Sequence, residues 1–269
     1  MTISAPTPNL RILLAEDNSA NRLVASALLQ QEGHTVFTAE DGASALDSLE
    51  RNIFDLVLLD VMMPVLDGLR TLRRIRRHYP DRTAMPIFAL TAHTGTQDQQ
   101  RYRLAGFDAV VSKPLYQGDI EMAWKLHHAP RRLPDMIIEK NIEVKANPML
   151  DYAMIDQIKA ATNTERRAAI LASYWASTEA LCLALKNTLP AAMRGETRAL
   201  TEFRRSVHTL KGASLSVGAS RIAELCRILR NAPPADIPNL LNDLIRALLE
   251  SRSTLSEAYS DDGLTLRTG

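Results

Sequence analysis

The sequence predicts a two-domain protein: an α/β domain on a doubly wound, five-stranded parallel sheet, then an all-α helix bundle. Three observations carry this. Short apolar runs alternate with amphipathic stretches five times between residues 10 and 128. After His128 the alternation stops, and Pro130, Pro134 and Pro148 punctuate a stretch with little helical periodicity. Beyond that stretch only helical patterns remain. A length of 269 residues accommodates two domains, each able to bury its own core.

Residues 1–9 are polar, contain two prolines and read as a disordered lead-in. RILLA at 11–15 reads as a buried strand, followed by a helix over 19–32. TVFTA at 35–39 precedes a helix over 43–51, and LVLLD at 56–60 leads through a Pro-containing loop to a helix over 68–78. PIFAL at 86–90 precedes a helix near 97–105, and AVVS at 109–112 precedes one near 118–128. Five strands each followed by a helix imply a parallel sheet covered on both faces, with its functional groups at the carboxyl ends of the strands. The first domain spans 10–128, a linker 129–147, the second domain 148–258, and a tail 259–269. Helices are expected at about 150–161, 165–188, 191–216, 219–230 and 237–256, with breaks at Pro190, Gly218, Pro233, Pro234 and Pro238. This is a short leading helix and a four-helix-type bundle.

Composition excludes several classes. At 46% hydrophobic and 23% charged the chain is not disordered, and 11 Gly with 13 Pro are too few for a fibre. Net charge is +1, with 13 basic against 15 acidic residues in 1–130 and 19 against 16 in 131–269. That balance argues against nucleic-acid binding. No apolar run approaches the ~18 residues that span a bilayer, and the N-terminus lacks a secretory pattern. A cytoplasmic chain making no membrane contact of its own is expected. Cys182 and Cys226 have no metal-ligand spacing and read as buried thiols.

The predicted strand ends carry chemistry. Glu16 and Asp17 end the first strand, Asp60 the third and Thr91 the fourth, and Lys113 follows the fifth. If the first and third strands are neighbours, three carboxylates converge. Their repulsion is costly unless a hard divalent cation or a cationic side chain compensates it. Mg²⁺ suits such a set, Lys113 supplies a point charge for a phosphoryl group, and Thr91 supplies a hydroxyl. Each residue alone reads more simply as a helix cap or an ion-pair partner. Five of them at the ends of four strands point instead to a phosphoryl-transfer site with Asp60 as nucleophile.

Leu13–Asn18 (LLAEDN), Asp60–Gly68 (DVMMPVLDG), Ala89–Ala92 (ALTA) and Ser112–Pro114 (SKP) resemble the signatures of a response-regulator receiver domain over residues 10–128. The resemblance implies a flavodoxin-like fold with Asp60 as phospho-acceptor. It also implies Mg²⁺ held by Asp17, Asp60 and the Met62 backbone carbonyl, with Glu16 acting through water. Thr91 and Lys113 would hold phosphoryl oxygens, and the Lys113–Pro114 bond is expected to be cis. The aromatic switch residue that the family often carries three positions before the lysine is here Val110. A related aspartyl phosphatase reading needs an acid two residues after the nucleophile, and position 62 is Met.

In the second domain, Leu200, Phe203, Val207, Leu210, Ser214 and Val217 form one helical stripe. His208 falls off that stripe, on a face with Arg204, Arg205, Lys211, Gly212 and Leu215, so an exposed imidazole is expected. Gly212 costs about 1 kcal/mol against Ala in a helix interior, and its bare backbone lets another active site approach. Lys211 can offset phosphoryl charge. The string His208–Ala219 (HTLKGASLSVGA) resembles the motif of a histidine phosphotransfer (HPt) domain, over about residues 148–258. Ser216 stands where that family commonly has Asn. The resemblance implies phosphorylation of a ring nitrogen of His208, which is the competent nucleophile when neutral, mostly above a reference pKa of about 6.5.

Remaining features read blandly. His34, His78, His127 and His128 read as solvated, and His93 as a residue that tunes water access to Asp60. Arg70, Arg73, Arg74, Arg76, Arg77 and Arg82 read as a solvated face, Met62 and Met63 as loop-shaping, and Trp124 and Trp175 as core or contact residues. No Gly-rich nucleotide cradle appears, so no ATP site of its own is expected. The resemblances together imply a two-component phosphorelay role, as at the C-terminal end of a hybrid sensor histidine kinase. A histidine kinase core would then donate to Asp60, and His208 would exchange the phosphoryl with Asp60 or a partner receiver. The alternative is a binding adaptor, in which the receiver occludes the HPt helix or docks on an outside protein until phosphorylation releases it. A degenerate pair without phosphate is disfavoured by the intact acidic set.

Overall fold

The structure is a computed structural model that describes residues 9–79, 85–92, 96–128 and 149–260, with Thr96 and Gln97 as backbone only. It divides into two compact units. Residues 1–8 of the expected lead-in, the whole expected linker and the tail beyond Ser260 lie outside the described residues, as do His93 and Arg82.

Residues 9–128 alternate strand and helix: β1 (Arg11–Ala15), α1 (Ser19–Gln31), β2 (Thr35–Ala39), α2 (Gly42–Arg51), β3 (Leu56–Asp60), α3 (Gly68–His78), β4 (Ile87–Thr91), α4 (Thr96–Ala105), β5 (Ala109–Ser112) and α5 (Asp119–His128). The sheet is parallel, in the order β2-β1-β3-β4-β5, so the first and third strands are neighbours at its centre. β4 starts one residue later than the apolar run predicts. Pro86 has no N–H to give the ladder, although its carbonyl accepts from the Val57 amide at 3.0 Å.

Strand periodicity sends alternate residues to opposite faces. In β3, Val57 and Leu59 join a core with Leu49, Leu72, Ile75 and Phe107, while Leu56 and Leu58 join one with Leu29, Phe88, Ile120 and Ala123. Burial on both faces explains why these strands read as unbroken apolar runs. Side-chain caps start the helices that flank the carboxyl edge. Asp41 and Ser44 form a reciprocal capping box on α2, and Asp67 Oδ1 accepts from the Arg70 amide at 2.7 Å on α3.

His34 differs from its solvated reading. It is buried in the turn before β2, where its Nδ1 accepts from the Leu10 amide at 3.3 Å. A turn that must meet the start of β1 leaves a backbone donor there, and the imidazole satisfies it. His127 is half-buried edge-on to Phe88, whereas His78 and His128 are exposed. Arg76 is also drawn out of the solvated face, donating to Asp108 Oδ2 at 2.5 Å and to the Met85 carbonyl at 3.0 Å.

The second unit is helical: α6 (Tyr152–Ala161), α7 (Thr164–Met193), α8 (Thr197–Ser216), α9 (Ser220–Asn231), a 3₁₀ turn (Pro234–Asp236) and α10 (Ile237–Tyr259). Its core includes Ile155, Tyr174, Leu185, Phe203, Val207, Leu210, Ile222, Cys226, Leu244 and Leu255. Cys226 is a fully buried free thiol and Cys182 a half-buried one. Trp175 is half-buried edge-on to Tyr174, with ring centroids 4.8 Å apart.

The break expected at Pro190 is absent, because α7 runs through it to Met193. Pro190 lies in the last turn on an exposed face, where water can satisfy the carbonyl that its ring deprives of a donor. The helix ends instead at Gly195, which takes φ 81°. By length and composition alone, α7 is long and apolar enough to cross a membrane, a longer apolar stretch than the sequence reading allowed. It is nevertheless a packed helix of the bundle, burying Ile170, Tyr174, Thr178 and Leu185. The break at Gly218 is real: φ is 75°, and a β-carbon there would lie 2.8 Å from the Asp151 carbonyl oxygen.

Candidate functional site: an acidic pocket and a helical histidine

The carboxyl edge of the sheet gathers the predicted residues. Register pairs Ala15 with Leu59 and Asp60 with Leu90, so Glu16 and Asp17 leave β1 beside the end of β3. One oxygen from each of Glu16, Asp17 and Asp60 lies within 4.8 Å of the others. Thr91 ends β4 opposite Ser112, and its carbonyl accepts from the Lys113 amide at 2.8 Å. The cis Lys113–Pro114 peptide follows directly.

Lys113 enters this pocket as its counter-charge. Its ammonium lies 2.7 Å from Asp60 Oδ2 and also pairs with Glu16. Glu16, Asp60 and Thr91 are buried, and Asp17 is half-buried. Burial pushes the Asp60 carboxyl above its ordinary value, with the Asp17 charge adding to it and Lys113 and the Met62 amide opposing. Burial also pulls the Lys113 ammonium down, but the Asp60 and Glu16 charges outweigh it and hold it above its usual value.

The loop after β3 shapes the rim. The Met62 amide donates to Asp60 Oδ1 at 3.0 Å, Met63 is buried, and Met62 is exposed. Gly68 opens α3 because nothing larger fits: a β-carbon there would stand 2.3 Å from the Asp60 carbonyl oxygen. Sequence reasoning missed Tyr102, whose hydroxyl lies 3.5 Å from Thr91 Oγ1. No spacing rule links a helix residue to a strand-end hydroxyl eleven positions earlier.

In the second unit Phe203, Val207, Leu210, Ser214 and Val217 of the expected stripe are buried, and Leu200 at its start is half-buried. His208 is half-buried rather than exposed, and Lys211 is half-buried one turn on with Gly212 buried beside it. α9 crowds this side, bringing the charges of Arg230 and Arg227 to bear on Lys211. Burial first and those charges second lower the Lys211 ammonium below its ordinary value.

Two families match this chain: the response regulator receiver domain over residues 12–125 and the Hpt domain over residues 169–254. The sensor protein GacS of Pseudomonas syringae pv. syringae is 30% identical over 257 residues, covering 89% of this chain and 26% of that protein. The aerobic respiration control sensor protein ArcB of Escherichia coli K12 is 30% identical over 220 residues, covering 82% of this chain and 27% of that protein. The chain thus spans about a quarter of the length of these curated relatives. A receiver domain of a Pseudomonas aeruginosa PAO1 sensor histidine kinase, solved with a magnesium ion in its active-site cleft, is 35% identical. That match covers 44% of this chain and 96% of the other, with a TM-score of 0.40. The chain thus carries a response regulator receiver domain followed by an Hpt domain, the arrangement at the C-terminal receiver–Hpt region of these sensor kinases, and this pairing supports a two-component phosphorelay role.

Proposed function

We propose that Asp60 accepts a phosphoryl group from a phosphohistidine of a kinase core and that His208 exchanges it with Asp60 or with a partner receiver. The observation that carries this reading is the buried Asp60–Lys113 ion pair set among Glu16 and Asp17.

The donor set suits a hard divalent ion: three carboxylates within 4.8 Å of one another, with the Met62 carbonyl on the same loop. Glu16, Asp17, Asp60 and the Met62 carbonyl would hold Mg²⁺ there. When bound, it supplies charge neutralisation on the phosphoryl oxygens. An Asp60 carboxylate oxygen attacks phosphorus, the P–N bond breaks, and its electron pair returns to the donor imidazole. Lys113 compensates the transferred charge, and the Thr91 hydroxyl donates to a phosphoryl oxygen. For the second step a neutral ring nitrogen of His208 attacks phosphorus, and Asp60 leaves as carboxylate. Lys211 offsets the arriving charge, and Gly212 leaves room for the incoming site.

Both domains are soluble signalling domains, which supports a cytoplasmic location. The relatives named above support partnership with a kinase core and a second receiver. Incubation with Mg²⁺ and acetyl phosphate, read by intact mass, tests the first step. The wild-type chain gains a phosphoryl group, and Asp60→Asn does not. A wild-type chain that stays unlabelled contradicts the proposal.

A further inference from the structure

Thr91 is in contact with a buried phenol. The Tyr102 hydroxyl lies 3.5 Å from Thr91 Oγ1, and both side chains are buried. Tyr102 belongs to α4, and its ring stands edge-on to Phe107, with centroids 6.3 Å apart. Val110, half-buried on β5, packs against the core cluster that holds Tyr102 and Phe107. Beside Val110 a cavity of about 110 Å³ opens on the α4 and α5 side, lined by Gln99, Arg103, Asp108, Leu126 and His127. The aromatic ring beneath the threonine therefore comes from the following helix, and α4 has open space next to it.

We propose that Tyr102 is a positioning residue that couples occupancy of the Asp60 site to α4. This inference rests on the function proposed above. A threonine hydroxyl has one proton, and in the resting receiver either member of the Thr91–Tyr102 pair can be the donor. Once Thr91 gives its proton to a phosphoryl oxygen, it can only accept from Tyr102. The 3.5 Å separation already exceeds the ~2.7–2.8 Å usual for O–H···O bonds. A small movement of Oγ1 toward Asp60 therefore breaks the contact and releases α4. In the other direction, a phenol that holds Thr91 weakens its engagement with the phosphoryl group, since a ligand shifts an equilibrium only by its differential affinity.

The full chain labelled with 3-fluorotyrosine tests this by ¹⁹F NMR. It has six tyrosines, and the Tyr102 signal is the one lost in Tyr102→Phe. Mg²⁺ with beryllium fluoride is the probe, because bound fluoride gives its own signals and reports site occupancy separately. The expected result is that the Tyr102 signal shifts as bound fluoride appears. Tyr102→Phe keeps the ring and the packing, and it is expected to bind beryllium fluoride about two- to threefold more tightly, the low end for one hydrogen bond. A stationary Tyr102 signal beside bound fluoride, or an unchanged affinity in Tyr102→Phe, overturns the inference and leaves the proposed function standing. Absence of bound fluoride from the wild-type chain overturns the proposed function and the inference with it.

Discussion

The Lys113 ammonium lies 2.7 Å from Asp60 Oδ2, closing an acidic pocket that Glu16 and Asp17 share. Among the described residues, one cation thus stands against three carboxylates in a site whose Asp60 and Glu16 are buried. Taking one member out of such a cluster costs about 3–5 kcal/mol. Lys113→Met is expected to lower the melting midpoint of the receiver in EDTA. Added Mg²⁺ should recover more stability in this variant than in the wild type, because the ion replaces a missing charge. Calorimetry with and without Mg²⁺ makes the comparison, and equal Mg²⁺ shifts in the two proteins would contradict it.

Gly68 faces backbone rather than side chain. A β-carbon there meets the Asp60 carbonyl oxygen at 2.3 Å and Val61 Cα at 2.8 Å, and neither can rotate away. Gly68→Ala should destabilise the receiver by about 1–3 kcal/mol and displace the end of β3. Phosphorylation of Asp60 from acetyl phosphate should slow as well. Urea unfolding and the labelling rate check the two effects, and a variant of wild-type stability would show that the contact relaxes freely.

His34 should make receiver stability depend on pH. Burial holds its imidazolium below the ordinary 6.5, so the unfolded chain takes a proton that the folded chain resists. Stability from this group is complete above about pH 6.5 and is lost as pH falls through the folded value, by at most about 1.4 kcal/mol per unit. Glu32, whose Oε2 lies 3.7 Å from His34 Nε2, is raised by burial and contributes with the opposite sign. The comparison is therefore between wild type and His34→Gln, whose amide oxygen can still accept from Leu10. Denaturant midpoints at pH 7.5 and 5.5 should converge more in the variant. Parallel losses would contradict this role of His34.

Much of the site was legible because parallel strands put chemistry at their carboxyl ends. The positions of Glu16, Asp60, Thr91 and Lys113 follow from apolar runs alone, since each residue directly follows or ends one, and Asp17 comes next after Glu16. The stripe through Phe203, Val207 and Leu210 set the orientation of α8 in the same way. What escaped depends on tertiary neighbours. Pro190 is tolerated because it falls on an exposed last turn, which no local rule reveals. His34 is buried because the start of β1 needs an acceptor, and Tyr102 reaches Thr91 only once α4 has packed. His208 looked exposed on helical spacing, yet it is half-buried on a helix flanked by its neighbours in the bundle.

A phosphoryl group on Asp60 is expected to pass to His208. The most direct measurement follows the wild-type chain and His208→Gln after a pulse of acetyl phosphate with Mg²⁺, separating acid-labile from base-labile label over time. Base-labile acyl phosphate is expected first in both proteins. It then gives way to acid-labile phosphohistidine in the wild type only, while His208→Gln retains label on Asp60. Label that never leaves Asp60 in the wild type, in the presence or absence of a second receiver, would contradict the relay.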